Sequence, residues 1–506
     1  MEPRFLDAVR AAFPEGAGAL TLGAPVLKGE CQPEALIGLP LAMMNRHGLI
    51  AGATGTGKTR TLQLLAEQLS NAGVPVFLAD LKGDLSGLGV AGEESDKVRQ
   101  RAQDTGCTWK GAAFPVEFLS LTGTRGAQVR AAVSSFGPLL LAKVLGLNET
   151  QSSVLSMVFK YADDRKLELV DFADLRAVLQ HLSGDGAADL KDYGGMSKAT
   201  VGVLLREMVE LEQQGALAFF GEPELDLADL MEVERDGRGL VTVLELTDLQ
   251  DKPALFSTFM MWMLARLYGE LPEVGDLGKP KLVFFFDEAH LLFDGASKAF
   301  LDQVQQVVRL IRSKGVGVFF VTQSPKDIPA EVLGQLGHKV QHALRAFTPD
   351  DATALRAAAR TFPRTAFYDI EETLQALGIG EALVTVLGPS GVPTPPFATR
   401  LIPPASRMGP LVDAELQQRL AGSPLVRKYR EAVNPDSAEE KLARAAPEAG
   451  DAVAGDEPAA RRAAKEPPNL IEQVLRSPVT RTVAGQITRG LMGALLGAAP
   501  RRRRRY

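Results

Sequence analysis

The chain has 506 residues, of which 45% are hydrophobic and 23% are charged, and its formal net charge is −6. This length suggests two to four domain-sized units, and the acidic balance argues against a protein that binds nucleic acid with its whole surface. The two cysteines, Cys31 and Cys107, lie outside any Cys-x-x-Cys pair, so we expect free thiols and no thiolate metal site. Because the sequence has neither an apolar leader nor a run of 18 apolar residues, we expect a cytoplasmic protein without a transmembrane segment.

The beginning of the chain predicts a sheet built from short buried strands. Residues 1–46 are punctuated by glycine and proline and predict a short β-rich segment. Residues 47–122 predict the first part of an α/β core, because continuous apolar strands alternating with helices are typical of a parallel sheet covered on both faces. The expected elements are strands at residues 48–51, 74–79 and 116–121 and a helix over residues 58–71.

Residues 123–238 interrupt this alternation. Their apolar side chains recur at helical spacing, as in Val154, Leu155, Val158 and Phe159, and predict an all-helical insertion. The α/β pattern resumes over residues 239–433, the second part of the core. Its expected strands are at residues 239–246, 281–286, 316–322, 339–344 and 382–387, and its expected helices are at 254–268 and 298–313.

The C-terminal part of the chain changes composition. Residues 434–468 are rich in Ala, Glu, Pro and Asp and predict a flexible linker. Residues 469–506 contain eight arginines and one acidic residue, five of the arginines in a row at 501–505. Their apolar residues recur every four positions after Ser477-Pro478, which predicts an amphipathic helix. This helix could dock on the body or a neighbouring subunit, lie on an anionic membrane, or act as a basic arm on nucleic acid.

Residues 52–59, Gly-Ala-Thr-Gly-Thr-Gly-Lys-Thr, fit the P-loop (Walker A) pattern G-x-x-x-x-G-K-[ST]. Glycines let backbone N–H groups approach phosphate oxygens, and the following helix directs its positive end at the anion. Lys58 can reach the β- and γ-phosphates, and the Thr59 hydroxyl can ligate Mg²⁺. The strand before and the helix after argue against a chance Gly-rich turn. The predicted ATP-binding residues are Gly52, Thr54, Gly55, Thr56, Gly57, Lys58, Thr59 and Arg60.

Polar side chains at the ends of later strands predict the rest of this site. The apolar run at residues 281–286 ends in Asp287 and Glu288, a Walker B pattern. We expect Asp287 to hold Mg²⁺ and Glu288 to orient or deprotonate the attacking water. Gln323 follows the next strand and is predicted to sense the γ-phosphate. For Asp80 and Asp84, a simple turn and a role in the site remain open.

Hydrolysis of the γ-phosphate commonly needs a further cation beside Lys58, often an arginine finger. Arg309 and Arg312 precede the strand that ends at Gln323, and Arg345 follows the next strand. A surface salt bridge is the alternative for each of them. The residue pattern alone does not show which of these three arginines would act as the finger.

Two segments resemble the HerA/FtsK group of ring-forming P-loop ATPases. Residues 46–52 (Arg-His-Gly-Leu-Ile-Ala-Gly) run into the P-loop as in HerA helicases, and residues 312–317 precede residues 321–325 in a similar way. The resemblance implies a RecA-like fold, a homo-oligomer that is commonly a hexamer, and an Arg312 that reaches the nucleotide of the neighbouring subunit.

Segments at residues 80–88, 341–350, 380–387, 406–410 and 423–432 look like the bacterial HerA-like family represented by YjgR. HerA itself begins with a full β-barrel domain, and the region before His47 is too short for one. This difference weakens any transfer of HerA's partner contacts to this chain.

The resemblance implies a DNA translocase or helicase powered by ATP and Mg²⁺. The alternatives are an ATPase that remodels or scaffolds a protein partner, and a nucleotide-binding module with negligible turnover, against which Glu288 and Arg312 argue. The run from Asp287 to His290 also resembles the motif of two-lobed DEAH helicases. Its distance from Lys58 in the sequence is much greater than in that class.

Overall fold

A computed structural model gives the architecture, and it describes residues 3–14, 18–249, 252–275, 277–293, 298–388 and 390–445. The predicted basic tail at residues 469–506 and most of the predicted linker at residues 434–468 lie outside these ranges. The strands are β1 (Ala19–Leu27), β2 (Glu30–Cys31), β3 (Ile37–Pro40), β4 (Gly48–Ala51), β5 (Val76–Asp80), β6 (Val116–Ser120), β7 (Ala127–Gln128), β8 (Val241–Glu245), β9 (Leu282–Phe286), β10 (Val316–Thr322), β11 (His338–His342), β12 (Glu381–Thr385) and β13 (Phe397–Leu401).

Helices connect these strands and continue beyond the last one. They are α1 (Pro3–Ala12), α2 (Lys58–Asn71), α3 (Asp96–Thr105), α4 (Val133–Val144), α5 (Glu149–Arg165), α6 (Phe172–Ser183), α7 (Lys198–Gln213), α8 (Ala216–Phe219), α9 (Pro253–Glu270), α10 (His290–Phe293), α11 (Lys298–Ile311), α12 (Ala330–Leu333), α13 (Pro349–Ala359), α14 (Ile370–Ala376), α15 (Asp413–Gly422), α16 (Pro424–Tyr429) and α17 (Ala438–Ala445).

One mixed sheet runs through the described residues in the order β2-β1-β13-β12-β11-β4-β10-β9-β5-β8-β6-β7, with β3 paired to β1. The strands from β11 to β6 pair in parallel, as predicted from their apolar runs, and β7, a strand within the segment predicted to be all-helical, pairs in parallel with β6. The strands β12, β13 and β1 pair antiparallel. The predicted α/β fold with a mainly parallel sheet is confirmed.

Alternate side chains of β9 fill the two faces of the sheet. Phe284 and Phe286 belong to the apolar core that contains α9 and α11, whereas Val283 and Phe285 belong to the core beneath α2. Every residue of β9 is buried. Full burial of a phenylalanine side chain contributes about 1.5–3 kcal/mol, so this strand is a large part of what holds the two helical layers together.

The helices from α4 to α8 lie between β7 and β8 in the chain and pack against α9. Phe136 and Phe219 contact the ring of Trp262 on α9, with ring centroids 6.4 and 6.1 Å away. The Trp262 Nε1–H group donates to Ser135 Oγ at 2.9 Å. These contacts join the helical region to the core, and the predicted boundaries at residues 123 and 238 stay predictions.

The segment before the P-loop is part of the main sheet. Strand β1 pairs with β13 in antiparallel register, with Gly23 opposite Leu401. A Cβ atom on Gly23 would lie 2.0 Å from the carbonyl oxygen of Arg400, so only glycine fits this close approach. Among the described residues, no helix has both the length and the apolar character needed to cross a membrane.

Three fully buried histidines, His47, His338 and His342, lie on or beside the central strands, and burial lowers the pKa of each to about 4. His338 is neutral, because its Nε2–H group donates to the carbonyl oxygen of Met43 at 2.8 Å while its Nδ1 accepts from the N–H group of Leu387 at 3.4 Å.

We predict that the protein loses stability in mild acid because the unfolded chain protonates His338 more readily than the folded protein does. Its pKa of about 4 in the folded state is below the ordinary value of 6.5, so its contribution is complete above pH 6.5 and is lost as the pH falls toward 4. Between pH 8 and pH 5 this loss amounts to about 2 kcal/mol. Urea unfolding at both pH values should show a smaller difference for His338→Gln than for the wild type; equal differences would refute the assignment.

Candidate nucleotide site

The P-loop lies between β4 and α2 and is anchored by the ends of β10 and β11, the two strands that flank β4. The N–H group of Gly52 donates to the carbonyl oxygen of Thr322 at 3.2 Å, and that of Ala53 donates to Ala343 at 2.9 Å. Gly52, Gly55 and Gly57 have φ values of +153°, +77° and +114°, a region that side-chain-bearing residues rarely adopt. The loop therefore needs glycine at these positions, as its sequence pattern indicates.

Lys58 and Thr59 open α2 directly behind the loop. The Lys58 ammonium group is buried and donates to the carbonyl oxygens of Gly52 at 2.8 Å and Ala53 at 3.2 Å, so it lies across the loop. Burial lowers the pKa of Lys58, and the charges of the nearby acids Glu288 and Asp287 oppose this shift. Lys58, Glu288 and Asp287 are thus close enough for their charges to interact.

The other loop residues of the prediction are placed along the same turn. The Thr56 hydroxyl is buried and donates to the Ala53 carbonyl oxygen at 2.6 Å, whereas Thr54 and Gly55 are exposed. Arg60 lies on the first turn of α2, where its guanidinium group donates to Gln63 Oε1 at 2.8 Å.

Asp287 follows β9 at the same edge of the sheet and is 3% exposed. Its Oδ1 accepts from the N–H group of Glu288 at 2.9 Å, and its Oδ2 is buried without a hydrogen-bond partner among the described residues. Burial, together with the charges of Glu288 and Asp80, raises the pKa of Asp287 to about 7. A buried carboxylate oxygen with an open coordination position fits a hard cation such as Mg²⁺.

Glu288 is held in an unusual conformation. Its φ of +50° lies in the left-handed region, its Oε1 accepts from the ammonium group of Lys82, and its Oε2 is 3.3 Å from His290 Nδ1. Burial alone would raise the pKa of Glu288, but the hydrogen bond and charge of Lys82 outweigh burial and lower it. The carboxylate is therefore ionised.

Gln323 follows β10 and is exposed at the same edge. It lines a cavity of about 930 Å³ together with Thr54 of the P-loop and His290. The structure thus brings together Lys58, Asp287 and Glu288 and places Gln323 in the adjoining cavity.

Arg312 is not near this edge within one chain. It begins a 3₁₀ helix, Arg312–Lys314, that immediately precedes β10, whereas Gln323 follows β10. At about 3.3 Å per residue, the seven residues of the strand separate these ends by roughly 20 Å. Its charge acts on buried His47, which lies just before β4.

Among the remaining candidates, Arg345 and Asp80 bond to backbone groups, and Arg309 lies on the surface. Arg345 donates to the carbonyl oxygens of Gln375 and Leu377 at the end of α14, and Arg309 is exposed on α11. Asp80 accepts backbone N–H groups from Lys82, Gly83 and Leu85 at 2.8–3.1 Å. These bonds favour the turn interpretation for Asp80 and a capping role for Arg345.

Two residues that the sequence did not indicate adjoin the site. Lys82 pairs with Glu288, and His342 lies under the P-loop, where its Nε2 is 2.8 Å from Thr61 Oγ1. His342 ends β11 within a strand predicted at residues 339–344, so its place at the sheet edge was a usable signal. Lys82 lies in a polar turn whose contacts depend on strand order, and its sequence gives no comparable signal.

Comparisons with known proteins agree with this architecture. The family model described as "Helicase HerA-like C-terminal" matches residues 26–505. The DNA double-strand break repair helicase HerA of Saccharolobus solfataricus is 22% identical over 343 residues, which cover 67% of this chain and 61% of that protein. A probable helicase of Methanocaldococcus jannaschii is 29% identical over 154 residues, 28% of each chain. The chain therefore spans less than two thirds of the length of either relative.

Among solved structures, the bacterial conjugative coupling protein TrwBΔN70 superimposes with a TM-score of 0.50 at 14% identity, covering 80% of this chain and 93% of that one. This likeness concerns the fold. The parallel sheet and the glycine loop between β4 and α2 define a P-loop NTPase of the RecA-like class. Because the family model covers nearly the whole sequence, the chain belongs to the HerA-like helicase family. The narrower likeness to the YjgR branch stays a prediction.

We predict that Gly52→Ala destabilises the P-loop. A Cβ atom there would lie 2.5 Å from the Cβ of His342, on a backbone with φ of +153°. Overpacking of this kind costs about 1–3 kcal/mol, which urea unfolding would measure. Gly269→Ala on α9 is the matched control, because a Cβ atom at Gly269 would have no contact within 4 Å. Equal stability of the two variants would contradict this account.

Proposed function

We propose that the protein is a Mg²⁺-dependent ATP hydrolase of the HerA type that works as a ring-forming DNA translocase or helicase. The observation that carries the proposal is the convergence of three groups at one edge of the sheet: the Lys58 ammonium group across the P-loop, the unpartnered buried oxygen of Asp287, and the ionised Glu288. A cytoplasmic location, expected from the sequence, is part of the same proposal.

The residues present suit a Mg²⁺–ATP complex. Thr59 and Asp287 would hold the metal ion, whose charge neutralises phosphate oxygens when it is bound. The N–H groups of Thr54, Gly55 and Gly57 would surround the phosphates, joined by that of Thr56 once it leaves the Ala53 carbonyl oxygen. Gly52, whose N–H group bonds Thr322, would shape the start of the loop, and Arg60 lies on the first turn of α2. Lys58 would move from the loop carbonyl oxygens to the phosphate oxygens, because an anion is the stronger partner for an ammonium group.

Glu288 would accept a proton from the attacking water or orient that water, and Gln323 would contact the γ-phosphate or the same water. Both side chains follow neighbouring parallel strands, β9 and β10, so they lie at the same edge of the sheet. Arg312 would act on the nucleotide of the next subunit in a ring, commonly a hexamer, because roughly 20 Å separate it from its own site.

An apolar slot beside the P-loop suits the base of the nucleotide. Its volume is about 310 Å³, and it lies between the first turns of α2, at Gly57 and Arg60, and the segment that follows β13, at Ile402. Arg101 of α3 borders it and donates to the carbonyl oxygens of residues 379 and 380 at 2.9 and 3.2 Å. A flat purine ring would be covered on both faces there.

The motor interpretation draws on the relatives. One is named as a DNA double-strand break repair helicase and the other as a probable helicase. The acidic net charge of −6 is compatible with DNA binding when basic residues are confined to a channel. Remodelling of a protein partner is the alternative outcome of the test below.

We predict steady-state ATP hydrolysis that DNA stimulates. Turnover should require Mg²⁺ and should rise with single- or double-stranded DNA at low and moderate salt. Lys58→Ala should abolish turnover by weakening nucleotide binding. Glu288→Gln should bind ATP as tightly as the wild type and hydrolyse it at least about 100-fold more slowly, the low end of what a positioned base contributes.

Normal turnover of Glu288→Gln would remove Glu288 from the mechanism. Wild-type hydrolysis that ignores DNA at both salt concentrations would reject the DNA motor and favour a protein partner. Persistence of the stimulation at moderate salt separates specific engagement from charge attraction, which salt weakens steeply.

We predict that Arg312 works between subunits. Arg312→Ala and Glu288→Gln should each be inactive alone, and mixing them should restore turnover, because some interfaces then combine an intact Glu288 with an intact Arg312. Random mixing at equal amounts should give about a quarter of the wild-type rate. A site is active only when one subunit has an intact Glu288 and its neighbour has an intact Arg312, and each condition is met in about half of the subunits. The measurement is ATPase rate on mixtures whose exchange is verified by co-purification of differently tagged chains. Verified exchange without recovery would reject the shared site.

A further inference from the structure

Lys82 is attached to a turn that the sheet fixes rigidly. The carboxylate of Asp80 accepts the N–H groups of Lys82, Gly83 and Leu85. The preceding strand, β5, pairs with β9, where Ala79 lies opposite Phe286. The backbone of Lys82 therefore has a defined position beside the residues that follow β9.

The ion pair between Lys82 and Glu288 joins two unlike environments. The side chain of Glu288 is 6% exposed, whereas that of Lys82 is 46% exposed. A half-exposed ammonium group regains water when it leaves its partner, and the carboxylate that it releases still has the His290 ring 3.3 Å away. The contact is thus suited to opening and closing.

The strand order determines the side of β9 from which Lys82 contacts Glu288. The sheet runs β4-β10-β9-β5, so the P-loop follows a strand on one side of β9 and Lys82 follows the strand on the other side. Lys82 engages Oε1 of Glu288 from the β5 side. The φ of +50° at Glu288 is a strained conformation for this residue type, and strain of this kind persists where surrounding contacts impose it.

From these observations we propose that Lys82 is a positioning residue that holds Glu288 on the β5 side, away from the attacking water, and that hydrolysis requires this ion pair to open. The proposal rests on the proposed ATPase function. Lys82 itself does not contact the nucleotide. While the ion pair is intact, the rate of ATP hydrolysis is lower than the rate that the same site would reach with Glu288 released.

The test is steady-state kinetics of full-length Lys82→Met without DNA. Methionine keeps the length of the side chain and removes its charge. We expect kcat to rise about fivefold, the factor that a partly exposed ion pair is worth, with KM for ATP within about twofold of the wild type because nucleotide contacts are untouched. Lys82→Arg, which restores a cation within reach of Glu288, should return kcat toward the wild-type value.

Two controls make the outcome specific. Lys160→Met removes an exposed lysine–carboxylate pair, with Asp164 on α5, and should leave kcat unchanged. Lys82→Met combined with Glu288→Gln should show no turnover, because the added activity must pass through Glu288. Thermal melting of Lys82→Met and Lys82→Arg verifies that both variants are folded.

An unchanged or lower kcat in folded Lys82→Met, or an elevated rate that survives Glu288→Gln, would overturn the proposal. Failure of the ATPase function itself is distinguishable, because the wild type would then lack Mg²⁺-dependent turnover altogether.

Discussion

Parallel pairing of β4, β10 and β9 is the constraint on which the rest of the structure depends. Phe319 on β10 lies opposite Gly48 on one side and Phe285 on the other. This register brings the ends of the three strands to one edge of the sheet, so Gly52, Asp287 and Gln323 are neighbours despite their distance in the sequence. The same register leaves Arg312 at the opposite edge. The candidate nucleotide site and the arginine proposed to reach the next subunit thus lie at the two ends of one strand.

The same edge concentrates acidic groups whose charge is costly to bury. Asp80 lies opposite Glu245 in the register of β5 and β8, and burial together with Asp80 raises the pKa of Glu245 to about 7. Arg125 donates to Glu245 at 3.3 Å, and Lys82 pairs with Glu288. Such an edge is a poor source of stability, because burying charged groups costs about as much as their pairing returns. The apolar strands behind it supply the stability.

The sequence was enough to predict those elements whose signal lies in a short run of neighbouring residues. The P-loop, the helix over residues 58–71 and the strand that ends at Asp287 follow from glycine spacing and from apolar runs, which depend only on neighbouring residues. The contact of Lys82 with Glu288 and the place of His342 under the P-loop depend on which strands lie side by side, and hydrophobic runs do not encode strand order. The pairing of β1 with β13 was missed for the same reason, and α3 was missed because its surface is largely polar.

The pairing of β1 with β13 has a consequence for the order in which the chain is made. Residues 19–27 can pair early with the nearby β2 and β3, but their pairing with β13 must wait until residues 397–401 have been made. The slot beside the P-loop is closed by the segment that follows β13. At 5–20 residues per second, a ribosome needs roughly 20–80 s to deliver that strand. Throughout this interval the nascent sheet has an open edge, the part of a β structure most prone to pair with other chains. The candidate nucleotide site is therefore completed only after β13 and the residues that follow it have been made, when that edge is covered.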